Sequence, residues 1–504
     1  MRKLMTIGTA SLLFIILHTG TVSAEEITVF DKEQISEVNI EIDEEDFEDM
    51  LENPLEEEYK EATITYNGKE IPYTGVRVKG NSSLSSVANS DSDRYSFKLK
   101  FNEYIEQDLE GYTKISLNNN FADPSYMREY LTYEMMESMG IPTPEYSYVR
   151  VSVNGELYGF YLSVENIEEP YLEKSFGSAA GNLFKGETGA SLTWEDGMSI
   201  EETNLTQKVG LETNTGLLDF MEALSKEENV EDYLDVDSYL RYLAVSTVLA
   251  NMDSYQGNFS HNYYLYEQDG VFHFLPWDHN MSFGGMGNGG DQISMLIDEP
   301  TIGAVSEHPL TEFVLSNEDY KETYHTYIQQ TIKELDTFEE RVDQLQELIS
   351  DDVKKDPTAF YTYDEFVANS GTGAVDGYPG ITSFIEQRLA NVQQQLSGQI
   401  PSYDNGEGLS GQGAPGNSRE EGERQNGEPP EGMNQEQNQD EQIPAVNEGE
   451  PPVGMENMPR GMPGMEGNTA AAPIQKKNMI IIAVLTAVLL AANIFIHLFR
   501  RYRK

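Results

Sequence analysis

The chain has 504 residues, 33 Lys plus Arg against 87 Asp plus Glu, and a formal net charge of -54 at pH 7. That balance repels polyanions and excludes nucleic acid as a partner. With no cysteine in the sequence, disulfides and thiolate metal sites are excluded too, which leaves oxygen ligands and histidine for any metal chemistry.

At the start, "MRKLMTIGTASLLFIILHTGTVSA" places Arg2 and Lys3 before an apolar run and Val22-Ser23-Ala24 after it, the layout of a cleaved secretory signal over 1–24. The body that follows, 25–398, opens with strands. "KEATITYNGKEIPYTGVRVKG" and "EYSYVRVSVNGELYGFYLSVE" alternate about Asn67-Gly68 and Asn154-Gly155, pairs that accept the positive φ of a tight hairpin. "RYSFKLKF" alternates as a further strand. "DPSYMREYLTYEMMESMG" reads as a helix, with Asp123 as cap, Pro124 in the first turn and Met127, Leu131, Met135 and Met139 at helical spacing. Residues 25–170 are therefore expected to form a sheet-rich half with a helix lying on the sheet.

Residues 171–398 read as the helix-rich half. "DVDSYLRYLAVSTVLANM" is apolar nearly all round and belongs at the centre, whereas 319–353 and "ITSFIEQRLANVQQQL" carry one-sided apolar stripes and belong at the periphery. The fold class is α+β. From 399 to 475 the text turns to Gly, Pro, Gln, Asn, Glu and Met, too poor in large apolar residues to offset ordering entropy, and is expected to be a disordered stalk. The apolar run 479–499 suits one transmembrane helix, and the basic tail 500–504 then stays cytoplasmic. These expectations put the body outside the cell membrane of a Gram-positive bacterium.

The chemistry-bearing stretch is "NMDSYQGNFSHNYYLY", which joins the central helix to a hairpin, "NYYLYEQDGVFHFLPW", that ends in "PWDHNMSFGG". The hairpin returns Asp278 toward Asp253 and Asn258. Two carboxylates and an amide oxygen suit Mg²⁺, a hard cation commonly shared with substrate phosphates. An Asp, an Asn five residues on, a hairpin and a second Asp before a Gly-rich loop is the order of catalytic base, metal-binding Asn and metal-binding Asp in protein kinases. Asn262 is an alternative to Asn258 as ligand, though strand alternation makes it the start of the hairpin; His261 is read as holding the loop by a hydrogen bond. Cations for nucleotide phosphates cluster in two strands. "VRVKGNSS" sets Arg77 and Lys79 on one face and leads into a turn whose N–H groups suit phosphate, while "RYSFKLKF" sets Lys98 and Lys100 on one face. One of these lysines is expected to pair with Glu129 or Glu134 of the following helix, as kinases aim a lysine at phosphate.

"VRVKGNSS", "RYSFKLKF", "DPSYMREYL", "GNLFKGE", "GNFSHNYYLY" and "FLPWDHNMSFG", in that order, resemble the spore coat protein H (CotH) kinase family over about Val38 to Leu396. The resemblance implies a diverged, two-lobed protein-kinase-like fold that binds ATP and Mg²⁺ and phosphorylates Ser or Thr of a surface or spore-coat protein. By motif, Asp253 is the catalytic Asp, Asn258 and Asp278 the metal ligands, and Lys185 of "NLFKGE" a basic residue facing the nucleotide; Lys98 or Lys79 neutralises developing charge. The signal and anchor depart from a family whose members act where a cell supplies ATP. The alternative is a catalytically silent adhesin or coat-assembly scaffold on the same fold, and a third reading is a metal-dependent phosphoester hydrolase.

Overall fold

Alternation of apolar and polar residues drives the first half into a closed β-barrel. The computed structural model describes residues 28–210, 216–286 and 290–410; the expected signal 1–24, the span 479–499, the tail 500–504 and everything after 410 lie outside the described residues. Among the described residues no helix is long and apolar enough to cross a membrane.

The barrel strands are β1 (Ser36–Ile42), β2 (Lys60–Tyr66), β3 (Lys69–Lys79), β4 (Ser96–Lys100), β5 (Lys114–Asn118), β6 (Tyr146–Val153) and β7 (Glu156–Glu165), in the order β1-β2-β3-β4-β5-β7-β6. Closure comes from parallel pairing of β1 with β6, Val38 opposite Val151. The two Asn-Gly turns lie between β2 and β3 and between β6 and β7, with φ of 46° and 83° at Asn67 and Gly68 and of 50° and 82° at Asn154 and Gly155. Each turn asparagine also ties down β1: Asn67 Oδ1 accepts from Glu37 N at 2.8 Å and Asn154 Oδ1 from Ile42 N at 2.9 Å.

Val76, Val78, Phe97, Leu99, Ile115 and Leu117 all point into the barrel and are buried. Period-two geometry then fixes the outer face of β3-β4-β5. The register sets Lys79 opposite Ser96, Arg77 opposite Lys98, Lys98 in turn opposite Ser116, and Lys100 opposite Lys114. A basic grid on the outside of the barrel is thus the necessary complement of its apolar inside.

The expected helix begins later than its sequence signals, running Arg128–Ser138. Met127, not Asp123, is the N-cap residue; Asp123 still reaches the first helical N–H, its Oδ2 accepting from Arg128 N at 2.9 Å, and its Oδ1 closes a turn onto Ser125 N at 3.0 Å. Left-handed φ at Ala122 and Tyr126 (61° and 58°) keeps Pro124 and Ser125 out of the helix.

The second half is not purely helical. Besides the expected hairpin, β10 (Tyr263–Gln268) and β11 (Val271–Pro276), it contains β8 (Asn182–Gly186) and β9 (Leu205–Val209), in the order β11-β10-β8-β9. The central helix Val236–Leu249 is capped by Asp235, whose side chain accepts from Ser238 N at 3.2 Å, and it packs along Glu318–Glu334 and Ile381–Leu396. The stretch 319–353 breaks into Glu318–Glu334 and Phe338–Lys355 because the turn between them sends both Leu335 and Phe338 into the core. The ordered chain also runs past the expected stalk boundary at 398, since Ser402 to Leu409 hydrogen-bond back onto the body.

A buried ion pair joins the halves behind the barrel. Arg94 Nη1 donates to Asp356 Oδ2 at 2.7 Å, both side chains being fully buried, and its other nitrogens donate to Asn119 O at 2.9 Å and Phe160 O at 2.5 Å. Arg94→Met leaves Asp356 as an uncompensated buried charge and is expected to cost about 3–5 kcal/mol. A urea midpoint measures this, and adding Asp356→Leu is expected to recover part of the loss.

Candidate active site

The floor of the site is the end of the central helix. Ala250 takes a left-handed conformation (φ 50°), its N–H returning to Ser246 O, and the chain leaves into the loop that carries Asp253. Two neighbours fix this carboxylate: His261 Nε2 lies 2.7 Å from Oδ1, and Asn262 Nδ2 donates to Oδ2 at 3.3 Å and to the Asp253 carbonyl at 2.9 Å. Asn262 immediately precedes β10. Trp277 N donates to Asn262 O at 3.1 Å, so the ribbon closes where it opened and delivers Asp278. Burial pushes the Asp278 carboxyl up; the charge of Lys79 opposes this and that of Asp253 adds to it. The two acids therefore feel one another across the open end of the ribbon. Asn258 is exposed, and its side chain has no hydrogen bond to either acid.

The roof is the outer face of β3-β4-β5. Lys79 Nζ donates to Asn118 Oδ1 at 2.6 Å, and Asn118 Nδ2 donates to Glu129 Oε2 at 2.9 Å. Lysine and glutamate are thus joined through an amide. Glu129 is buried, and burial, followed by the charge of Asp278, holds its carboxyl up at about 8. Burial likewise pulls the Lys79 ammonium down, against the charges of Asp278 and Glu129. Glu134, the other candidate, faces away and is gripped by Arg341 at 2.7–3.0 Å.

The remaining cations divide by partner. Arg77 turns onto Glu57 at 2.5 Å, Lys100 onto Glu103 at 2.6 Å and Lys114 onto Glu168. Lys185, on β8, pairs with Glu187 at 3.0 Å, and its charge is felt at both Lys79 and Asp278. Lys98 differs: it forms no hydrogen bond or ion pair with the described residues, and burial, reinforced by Lys79, Arg77 and Lys114, pulls its amine down to about 7. The structure therefore gathers Lys79, Lys98, Lys185, Glu129, Asp253 and Asp278, and leaves Arg77 on Glu57 and Asn258 at the surface. The turn after Lys79 opens into the seven-residue helix Ser82–Ala88.

Sequence reasoning missed Asn118 and His279. Asn118 closes "KISLN", whose alternation is the signal that would have placed it beside Lys79. His279 is buried against the Tyr133 ring, with Nδ1 2.9 Å from Asn251 Nδ2; burial pulls it down to about 3, so it stays neutral under Asp278.

A basic sheet with a lysine-to-glutamate connection, set over two carboxylates at the ends of one β-ribbon, is the layout of an atypical kinase-like site. The comparisons carry this further: the CotH kinase protein family matches residues 76–392, and the chain belongs to that family. The inner spore coat protein H of Bacillus subtilis (strain 168) is 27% identical over 264 residues, spanning 49% of this chain and 70% of that protein. Invasin CotH2 of Rhizopus delemar is 22% identical over 347 residues, spanning 62% of this chain and 56% of the invasin. Among solved structures, a chain of the Shewanella oneidensis MR-1 toxin–antitoxin complex of HipA, HipB and operator DNA aligns over 73% of this chain and 74% of its own, at a TM-score of 0.31 and 11% identity, too slight a likeness to define the fold.

Proposed function

We propose that the protein transfers the γ-phosphoryl group of ATP to a Ser or Thr hydroxyl of a surface or spore-coat protein. The observation that carries this reading is the Lys79–Asn118–Glu129 chain standing over Asp278 and Asp253. In the transfer, Asp253 accepts the proton of the acceptor hydroxyl, the new Oγ–P bond forms, the bond from the γ-phosphorus to the β-bridging oxygen breaks, and ADP leaves. His261 and Asn262 hold the Asp253 carboxylate toward the acceptor. Lys79, aimed by Asn118, meets the phosphates, and Lys98 supplies a further cation to an anion that reaches it.

The donor set fits Mg²⁺. Asp278 is a hard oxygen donor whose ionisation is opposed by burial and by Asp253, a repulsion that a divalent cation relieves. Asn262 commits Nδ2 to Asp253 and keeps its amide oxygen for a cation, while Asn258 offers one by motif. Among the described residues no group of three or more acids or histidines could hold a metal ion; a bound Mg²⁺ would be held by Asp278 and an asparagine oxygen, with phosphate oxygens and water as its remaining ligands. When bound, Mg²⁺ neutralises charge on the β- and γ-phosphates.

On this reading the apolar run 479–499 anchors the protein and the body works outside the membrane or at a coat surface, as the name of its Bacillus relative suggests. The invasins among its relatives favour a second reading, an adhesin or scaffold without turnover. A thermal shift separates them. At a ligand concentration of one hundred Kd, binding stabilises by about 2.7 kcal/mol, so ATP with Mg²⁺ is expected to raise the melting temperature and ATP alone is not. No shift with the pair, and no label transferred from ATP to a surface extract, would leave the scaffold.

A further inference from the structure

Residues 402–409 dock onto the segment 298–308, and that segment in turn holds the loop of Asp253. Glu299 is buried, and its Oε1 accepts from three successive main-chain N–H groups, those of Asp404, Asn405 and Gly406, at 2.5, 2.9 and 2.9 Å. Asp298 holds Ser402 twice, through its own N–H to Ser402 O at 3.0 Å and through Oδ2, which accepts from Ser402 Oγ at 2.7 Å. Its other oxygen lies 2.7 Å from His325 Nε2. Leu409 then bridges in parallel to Ile302, its N–H donating to Thr301 O at 2.8 Å and its carbonyl accepting from Gly303 N at 3.0 Å. Gly408 sits so close that an added Cβ would lie 2.3 Å from Gly303 O, and its φ is 61°.

Apolar burial in this segment comes from Leu409, which packs against the core, while Tyr403 is 56% exposed and Asp404, Asn405 and Glu407 face solvent. A buried carboxylate spent on three amides is a specific device, because charge-assisted hydrogen bonds fix both register and direction. The other side of the segment grips the loop. Ile302 N donates to Gln256 O at 2.9 Å, and the two ring nitrogens of buried His308 lie 3.1 Å from Tyr255 O and from Ile302 O. Tyr255 and Gln256 stand between Asp253 and Asn258.

We propose that residues 402–409 are a clasp that positions the Asp253 loop, with Glu299 and Gly408 as positioning residues for phosphoryl transfer. The activity part of this proposal rests on the kinase reading above; the structural part does not. Gly408→Val forces the clasp off without touching the core of the body, and Glu299→Gln removes the charge while keeping the shape. In the full chain, both are expected to speed hydrogen exchange at 402–409 and, with it, at 253–262 by about tenfold. Transfer is expected to show a kcat about tenfold lower at an unchanged KM for ATP. Fast exchange at 402–409 with native protection at 253–262 overturns the proposal, as does native protection at 402–409 in both variants. Loosening of both segments in a protein that transfers nothing supports the clasp and overturns the kinase reading.

Discussion

Asp253→Asn is expected to lower kcat by about 10²- to 10⁴-fold, the span usual for loss of a positioned general base, while leaving the KM for ATP close to native. Asp278→Asn is expected to remove transfer and, unlike Asp253→Asn, to abolish the thermal shift that depends on Mg²⁺. On the proposed reading the two variants separate base from metal ligand, one acid meeting the acceptor and the other the nucleotide. The loss at Asp278 is not a folding effect. Burial and Asp253 hold the Asp278 carboxyl above its ordinary value of 3.8, so between that value and the folded one the native state binds more protons than the unfolded state. Stability therefore falls as pH rises through this window, and at neutral pH Asp278→Asn is expected to melt no lower than the native protein. Asn262→Ala is expected to cost more activity than Asn258→Ala, since Asn262 touches Asp253 and Asn258 is exposed. Native transfer by Asp278→Asn would show that the acid is structural.

Legibility in the sequence followed the range of the signal. Asn67-Gly68, Asn154-Gly155 and Asp269-Gly270 mark tight turns within a few residues, and each joins two strands in the fold. The basic grid was legible for a related reason: alternation puts Arg77 and Lys79 on one face of their strand, and Lys98 and Lys100 on one face of theirs, before any partner strand is known. What escaped depends on distant pairing. Barrel closure joins Ser36–Ile42 to Tyr146–Val153, and nothing local to β1 announces it. β5, β8 and β9 are each five residues long; β4 is just as short, but it sits in the eight-residue alternating run "RYSFKLKF" that made it legible. Asn118 was lost with β5, and with it the amide between lysine and glutamate. The clasp was lost because 402–409 has the composition of a linker; main-chain amides on Glu299 hold it, and composition does not report those.

Lys98→Met is expected to move stability and nucleotide binding in opposite directions. The Lys98 amine is drawn from its ordinary 10.5 down to about 7, chiefly by burial and then by Lys79, Arg77 and Lys114. Between those values the native state binds fewer protons than the unfolded state, so native stability rises with pH from about 7 to 10.5 and the full penalty stands below pH 7. A methionine carries no such penalty. The free variant is therefore expected to melt above the native protein at pH 6, with the gap closing toward pH 10. Phosphate reverses the preference, because an anion restores the charged amine and removing that amine deletes a charge-assisted hydrogen bond of about 1.5–3 kcal/mol. Affinity for ATP with Mg²⁺ is expected to fall about ten- to hundredfold. Calorimetric titration and melting curves on the same protein read both effects. A variant that melts lower while keeping native ATP affinity would make Lys98 a packing residue, and the cations over Asp278 would then be Lys79 and Lys185.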